Sequence, residues 1–229
     1  DLHLSIRRQR QMCIRDRQIN CRLTKMELLS FGDTGWGDEL LRATFMTLLV
    51  AIVAFLFGFL VSFLIVPLKL SNKKILKYLG NTYTTIFRGV PELLVIYLLF
   101  FGGSSAVMFV AKIFGYKEFI EINAFLTGSV SIGLISGAYT TEVLRGAIES
   151  INKGQFDGAK SLGLKKTTYY VFVIAPQVLR LSLPNLSNVW QLTLKDTALI
   201  SVTGLVEIMR QSYIAVSYTH LTLPTNREV

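Results

Sequence analysis

Long apolar stretches alternate with basic connections along most of the chain. Ala43–Leu68, Leu93–Ala111 and Ile122–Thr141 contain no charged residue. A helix needs about 20 mostly apolar residues to cross a bilayer, so each stretch predicts a membrane-spanning helix. A weaker fourth candidate runs from about Leu181 to Leu205 and is interrupted by two charged residues. The pattern predicts an all-α membrane protein with four spans within residues 26–215.

Basic residues concentrate in the first and third connections between these stretches. The positive-inside rule therefore predicts that both connections are cytoplasmic and that the N-terminus lies outside. Residues 1–25, which hold seven Lys and Arg against two Asp, would favour the inside instead, so the two signals conflict. The basic residues of the two connections are Lys69, Lys73, Lys74 and Lys77, then Arg145, Lys153, Lys160, Lys165, Lys166 and Arg180.

The two ends of the chain differ from the rest. Residues 1–25 contain "MCIRDR", and residues 216–229 read "VSYTHLTLPTNREV". Both resemble translated sequencing-adapter read-through, and we interpret both as non-native tails, with Met26 as a plausible start. The alternative is that both are genuine disordered tails. No stacking aromatic residues accompany the N-terminal arginines, so we expect no nucleic-acid partner.

Several classes of chemistry have no residues to support them. Residues 26–216 contain no His and no Cys, so imidazole and thiolate metal sites, a Cys nucleophile and a His base are absent there. The segment "GAKSLGLK" has Leu164 where a phosphate-binding loop requires lysine. We therefore expect no cofactor, no metal and no enzymatic activity, and energy must come from a partner. A carboxylate-based membrane enzyme is the least favoured alternative.

The third connection contains the unusual stretch "GQFDGAKSLG", residues 154–163. Phe156, Ala159 and Leu162 recur at helical spacing, which predicts a short helix with these residues on one face. Small residues on this face would let another protein come close, and Gly163 can end the helix. The alternative from periodicity alone is an amphipathic loop that lies in solvent or at the membrane interface.

This stretch resembles the cytoplasmic EAA loop of ATP-binding-cassette (ABC) importer permeases, specifically those of the polar amino acid subfamily. The segments "FRGVPELLVIYLLFFG", "AYTTEVLRGAI" and "LKDTAL" agree in the same order. The resemblance implies a MetI-like transmembrane domain whose loop helix docks on a cytoplasmic ATPase. Gly158 departs from the family's alanine and weakens the helix by roughly 1 kcal/mol. The residues implied in coupling are Gly154, Phe156, Asp157, Gly158, Ala159, Leu162, Gly163 and Pro176.

Three charged residues are candidates for the substrate pathway. Lys195 and Asp196 fall inside the fourth candidate span, and Glu92 opens the second after a Gly89–Pro91 bend. Ionisable groups at membrane depth are costly unless they are paired or face a cavity. The alternatives are that Lys195 and Asp196 snorkel to the interface, and that the bend is a plain entry turn. An acidic lining would suit a cationic substrate.

The family resemblance also implies partners and a location. The partners are an ABC ATPase, a periplasmic or lipoprotein substrate-binding protein, and a second permease subunit that is identical or related. The substrate is an amino acid or an opine. The expected location is a bacterial inner membrane, which the chain crosses several times. We find no segment for the family's fifth span, which we interpret as truncation. The alternatives are an ion-coupled secondary carrier, for which the chain has no convincing internal repeat, and a non-functional fragment.

Overall fold

The computed structural model describes residue 31, residues 36–113 and residues 123–221. Every regular element in this part of the chain is helical, so the predicted all-α class is confirmed. Residues 1–25 and 222–229 of the predicted tails lie outside it. The helices are α1 Gly37–Leu70, α2 Lys74–Gly89, α3 Glu92–Tyr97, α4 Gly103–Ile113, α5 Ala124–Glu149, α6 Lys153–Ser161, α7 Lys166–Tyr169, α8 Ala175–Asp196 and α9 Ile208–Leu221, with π-helical turns at Leu98–Gly102 and Tyr170–Ile174 and a 3₁₀ helix at Thr197–Thr203.

Helix α1 contains the longest apolar stretch of the chain. Asp38 and Glu39 occupy its first turn and Lys69 its last, which suits the helix dipole. By length and composition, α1 is the one described helix that could cross a membrane by itself. Helix α2 and the segment Glu92–Ser105 are also long and apolar enough to cross a membrane when they are taken together, although the chain bends by 108° at the break between them. Crossing by the other predicted segments stays a prediction.

The chain divides into two compact units. One comprises residues 1–45 and 208–229, and in it the Gln211 Nε2 donates a hydrogen bond to Glu39 Oε2 over 2.6 Å. Residues 216–221 belong to this unit and continue α9, although the sequence places them in the C-terminal tail. The other unit, residues 46–207, holds all the predicted site residues.

Helix α5 is the most buried element of the second unit. Asn123 caps it, since its side chain accepts a hydrogen bond from Phe125 N over 2.9 Å. Two apolar clusters form around the helix. One combines Val50, Ala54, Ile96, Ile132 and Ile200, and the other combines Val66, Leu144, Ala147, Ile151, Ala159, Tyr169, Ile174 and Val178. The second cluster joins the third connection to the ends of the long helices.

Helices α1 and α5 cross at glycines. A Cβ atom added at Gly58 would lie 2.6 Å from the carbonyl oxygen of Gly133 and 2.8 Å from the nitrogen of Gly137. The Gly133–Gly137 spacing predicts close helix packing, and the structure identifies α1 as the partner helix. The Tyr83 hydroxyl, which donates to Leu134 O over 2.7 Å, adds α2 to the same region.

Two predicted spans differ from the observed helices. The second is interrupted by the π-helical turn Leu98–Gly102. The fourth begins earlier than predicted, at Ala175 with Pro176 in its first turn, and α8 ends at Asp196. Lys195 and Asp196 therefore lie at the end of a helix and not in the middle of a continuous span. Apolar periodicity does not detect this end, because the following 3₁₀ helix is equally apolar.

Candidate functional site

Helix α6 in the third connection has defined local ends. The Asn152 side chain accepts a hydrogen bond from Gly154 N over 2.9 Å at the start of the helix. At the other end, Gly163 has a φ of +68°, and Leu164 N donates to Ala159 O over 3.2 Å. Glycine adopts this left-handed conformation without strain. The prediction that Gly163 ends the helix is confirmed.

One face of α6 packs against the rest of its own connection. Ala159 is buried, with 6% of its surface exposed, and the Phe156 ring meets the edge of Tyr169 at 5.8 Å. Burial, together with a hydrogen bond to Tyr170, raises the pKa of the Tyr169 phenol to about 12, so the phenol stays protonated and neutral. The prediction that the Ala159 face is open to a partner is wrong, because the chain itself covers that face.

The opposite surface of α6 is exposed. Leu162, predicted to share a face with Phe156 and Ala159, is instead 79% exposed because it follows the last helical residue. A Cβ atom at Gly158 would meet no atom within 4 Å, so the space beside it is open. Exposed leucine beside exposed glycine is a surface that another protein can approach closely. The predicted coupling residues on this exposed side are Gly154, Asp157, Gly158, Leu162 and Gly163, and Pro176 is exposed at the start of α8.

A second feature is an open pocket at the break between α2 and α3. Val90 and Pro91 are extended, and the Pro91 carbonyl accepts from Leu94 N over 3.0 Å, which starts α3 with Glu92 in its first turn. The pocket has a volume of about 540 Å³. Its walls are Arg88, Gly89, Val90, Pro91, Glu92, Leu93, Tyr139 and Leu199.

Arg88 and Glu92 are walls of this pocket, and buried Asp196 interacts with Glu92 without lining the pocket. The carboxyl groups of Glu92 and Asp196 lie within hydrogen-bonding reach of each other, although they are far apart in sequence. The Arg88 guanidinium carbon lies 5.4 Å from the centre of the Tyr139 ring, and Tyr139 is within electrostatic range of both carboxyl groups. Two adjacent carboxylates repel unless a proton or a cation lies between them. The arrangement can therefore hold a cation.

The predicted pathway residues separate in the structure. Asp196 is 4% exposed, whereas Lys195 beside it is exposed and points away from the buried side of α8. The sequence pattern assigns no pathway role to Arg88, and Tyr139 carries no sequence signal. A tyrosine in an apolar helix is common, so only the tertiary structure identifies it as a pocket wall.

An ion network lies beside the pocket at the end of α5. Buried Lys69 donates to Thr84 Oγ1 over 2.8 Å and also to Glu142. Arg145 Nε donates to Glu142 Oε2 over 2.9 Å, and Arg88 Nη1 lies 4.0 Å from Glu142 Oε1. Gly80 makes room for the Lys69 side chain, since a Cβ there would lie 2.6 Å from Lys69 Cγ. Glu142 thus links α1, α2 and α5.

This network predicts a stability effect. Glu142→Gln leaves Lys69 buried without its carboxylate partner, and we expect a loss of about 3 kcal/mol in the free energy of unfolding. The double variant Lys69→Met/Glu142→Gln should lose less free energy of unfolding than the sum of the losses of the two single variants. The reason is that replacing Lys69 also removes the buried charge that Glu142→Gln leaves without a partner. Thermal unfolding in detergent measures all three. Additive losses would show that the two side chains do not interact.

Among the described residues, no group of three or more His, Cys, Asp and Glu side chains could hold a metal ion. The chain was also compared with known proteins. Residues 54–225 match the model of the binding-protein-dependent transport system inner membrane component. The match includes the segments that form α6 and the pocket.

Individual relatives are similar over most of their length. The nopaline transport system permease protein NocQ of Agrobacterium fabrum (strain C58 / ATCC 33970) is 47% identical over 85% of this chain and 83% of its own. The histidine/lysine/arginine/ornithine transport system permease protein HisQ of Escherichia coli (strain K12) is 31% identical, covering 79% of each. A crystal structure of an amino acid ABC transporter with histidines has a TM-score of 0.67 at 30% identity, covering 81% of each chain.

Proposed function

The chain belongs to the family of binding-protein-dependent transport system inner membrane components, and from this premise we propose how its two surface features serve transport. It is a permease subunit of an ABC importer for amino acids or opines. In our proposal the exposed surface of α6 docks on a cytoplasmic ATPase, which hydrolyses the ATP. The pocket at Glu92 and Asp196 lies on the substrate path.

Two observations support the coupling role of α6. Its inner face, with Ala159, is anchored to the cluster that also holds Leu144 and Val178 of the long helices α5 and α8. Its outer surface exposes Leu162. A force applied to the exposed surface by a partner therefore acts on α5 and α8 through packed side chains, which are close to incompressible. The anchored inner face is the observation that carries the proposal.

Leu162→Glu tests the docking surface. We expect loss of ATPase co-purification by at least tenfold, because a charge replaces an exposed apolar contact that a partner would bury. The amount of subunit in the membrane should not change, since the side chain is 79% exposed in this chain. Gly163→Trp should also abolish docking, but the φ of +68° adds strain to that variant.

Thr167→Glu is the matched control, because Thr167 is exposed on the same connection outside α6. It should leave co-purification unchanged. Normal co-purification of the Leu162→Glu variant would remove α6 from the docking surface. Equal loss in both variants would point to general repulsion by added negative charge.

The substrate proposal rests on the carboxyl pair. Glu92, a wall of the pocket, and buried Asp196 beside it form an acidic pair, and Arg88 beside Tyr139 adds a positive group to the pocket wall. An amino acid with a cationic side chain offers both a cation and a carboxylate, so its two ends match these two groups. We propose a basic amino acid or a basic opine as the substrate, delivered by an external binding protein.

The remaining parts of the proposal concern assembly. The pocket is open in a single chain. We propose that a second permease subunit, identical or related, closes the substrate path. The subunit would cross the bacterial inner membrane several times, with the third connection on the cytoplasmic side. Transport proceeds by alternating access, and no bond in the substrate is broken.

A further inference from the structure

Helix α2 carries a packed face that fixes its position in the structure. Gly80 and Thr84 are buried, and Thr84 accepts a hydrogen bond from Lys69. The Tyr83 hydroxyl donates to Leu134 O in α5 over 2.7 Å. These contacts hold α2 against the end of α1 and the middle of α5, so its remaining faces have a fixed direction.

A second face of α2 is an exposed apolar stripe. Ile75 is 77% exposed, Tyr78 72%, Leu79 55% and Ile86 51%. Their spacing of three, four and seven residues puts all of them on one side of a helix. Each large apolar side chain left in water forgoes about 1.5–3 kcal/mol of burial free energy. The stripe therefore requires a non-aqueous environment.

The N-terminal end of α2 is basic, and Lys77 lies on the side of the helix away from the apolar stripe. Lys73, Lys74 and Lys77 are all exposed. Helix α2 contains no acidic residue, and its only other charged residue is Arg88 in the last turn. An apolar stripe on one face with lysines on the other is the pattern of a helix that lies in the interface of an anionic membrane.

The geometry of the following segment gives α2 a direction relative to the bilayer. Helix α2 is bent by 108° from Glu92–Ser105, the apolar segment that follows it. If that segment crosses the bilayer along its normal, α2 lies only about 20° from the membrane plane. A helix of this direction cannot span the bilayer, but its exposed stripe can enter the boundary between headgroups and acyl chains.

We propose that α2 lies in the headgroup layer of the cytoplasmic leaflet. Lys73, Lys74 and Lys77 bind the phosphate groups of anionic phospholipids, and the apolar stripe around Tyr78 enters the acyl boundary. This inference rests on the proposed function, because it requires the chain to be in a membrane. Charge favours lipid over a second protein chain as the occupant, since the helix that carries the stripe has three exposed lysines at its N-terminal end and no acidic residue.

The depth of α2 is measured with spin labels in the full chain in nanodiscs. Cys13 and Cys21 are replaced by Ser, and single labels are placed by Tyr78→Cys and Leu60→Cys. Leu60, 64% exposed in the apolar part of α1, reports whether the chain is in the bilayer at all. We expect the Leu60 label deep in the acyl region and the Tyr78 label about 5–10 Å below the headgroups.

The two labels separate the two possible failures. A deep Leu60 label with a Tyr78 label in water would overturn the interfacial placement of α2 and leave the permease proposal intact. A deep Leu60 label with a Tyr78 label shielded from both water and lipid would also overturn it, since a protein chain then covers the stripe. If neither label contacts lipid, the permease proposal fails as well.

The lysines are tested by lipid retention. The chain is released from nanodiscs that contain phosphatidylglycerol and phosphatidylcholine, and native mass spectrometry measures how much of each lipid stays bound to it. Changing Lys73, Lys74 and Lys77 to Gln should weaken retention of phosphatidylglycerol about fivefold for each lysine removed. The control is Lys153→Gln/Lys165→Gln, two exposed lysines of the third connection, which should retain it normally. Unchanged retention in the triple variant would overturn the headgroup-binding role.

Discussion

Asp196→Asn in the assembled transporter is expected to lower transport of a cationic amino acid by roughly 10- to 100-fold. A hydrogen bond between charged groups contributes about 1.5–3 kcal/mol, and each 1.4 kcal/mol corresponds to a factor of ten. Glu92→Gln should produce a similar loss. The double variant should be little worse than either single variant, because the two carboxyl groups bind the cation as a unit.

Stability should respond in the opposite direction. Removing one of two adjacent carboxyl groups relieves their repulsion, so the Asp196→Asn chain should unfold at the same or a higher temperature than the parent. Transport is measured in proteoliposomes with the ATPase and binding protein present, and unfolding is measured on the isolated subunit. A fall in both quantities would assign Asp196 a structural role and not a role in the pathway.

Lys195→Gln is the matched control, because Lys195 adjoins Asp196 in sequence but is exposed. It should transport normally. Normal transport by Asp196→Asn, or a severe loss in Lys195→Gln, would contradict the pocket as the cation site. A neutral amino acid supplied to the same vesicles adds a second comparison, since its uptake does not depend on the carboxyl charge.

The sequence predicts individual residues at the pocket better than it predicts their arrangement. Glu92 and Asp196 stand out because a carboxylate in an apolar segment is costly. Their meeting depends on the end of α8 and on the break at Pro91, which are tertiary features. Tyr139 has no such cost and stays unnoticed. Lys195 and Asp196 are both candidates by sequence, and because adjacent residues on a helix point in different directions, the structure buries only Asp196.

Helix α6 shows a different limit. Periodicity correctly predicts that Phe156 and Ala159 share a face, and glycine preference correctly predicts the helix end at Gly163. Periodicity does not say what that face contacts. Tyr169, from the following helix, covers it. A face that is apolar enough to bind a partner is also apolar enough to pack against its own chain. Here the neighbouring helix of the same chain covers it.

Gly58→Ala is expected to destabilise the subunit by about 2–4 kcal/mol, more than any other single methyl group added to a described helix. The new Cβ would lie 2.3 Å from Ser136 Oγ, 2.6 Å from Gly133 O and 2.8 Å from Gly137 N. The hydroxyl of Ser136 can rotate, but the other two atoms belong to the backbone of α5. Relief therefore requires α1 and α5 to separate, and overpacking of this kind costs about 1–3 kcal/mol or more.

The separation would also reach the pocket, because α5 carries Tyr139 only two residues beyond Gly137. The measurement is the unfolding temperature and the monodisperse yield of the subunit in detergent. Gly146→Ala is the control on α5, since its Cβ meets no atom within 4 Å; alanine there should be neutral or stabilising by up to about 1 kcal/mol through helix propensity. Equal unfolding temperatures for the two variants would mean that α1 and α5 do not cross in contact at Gly58.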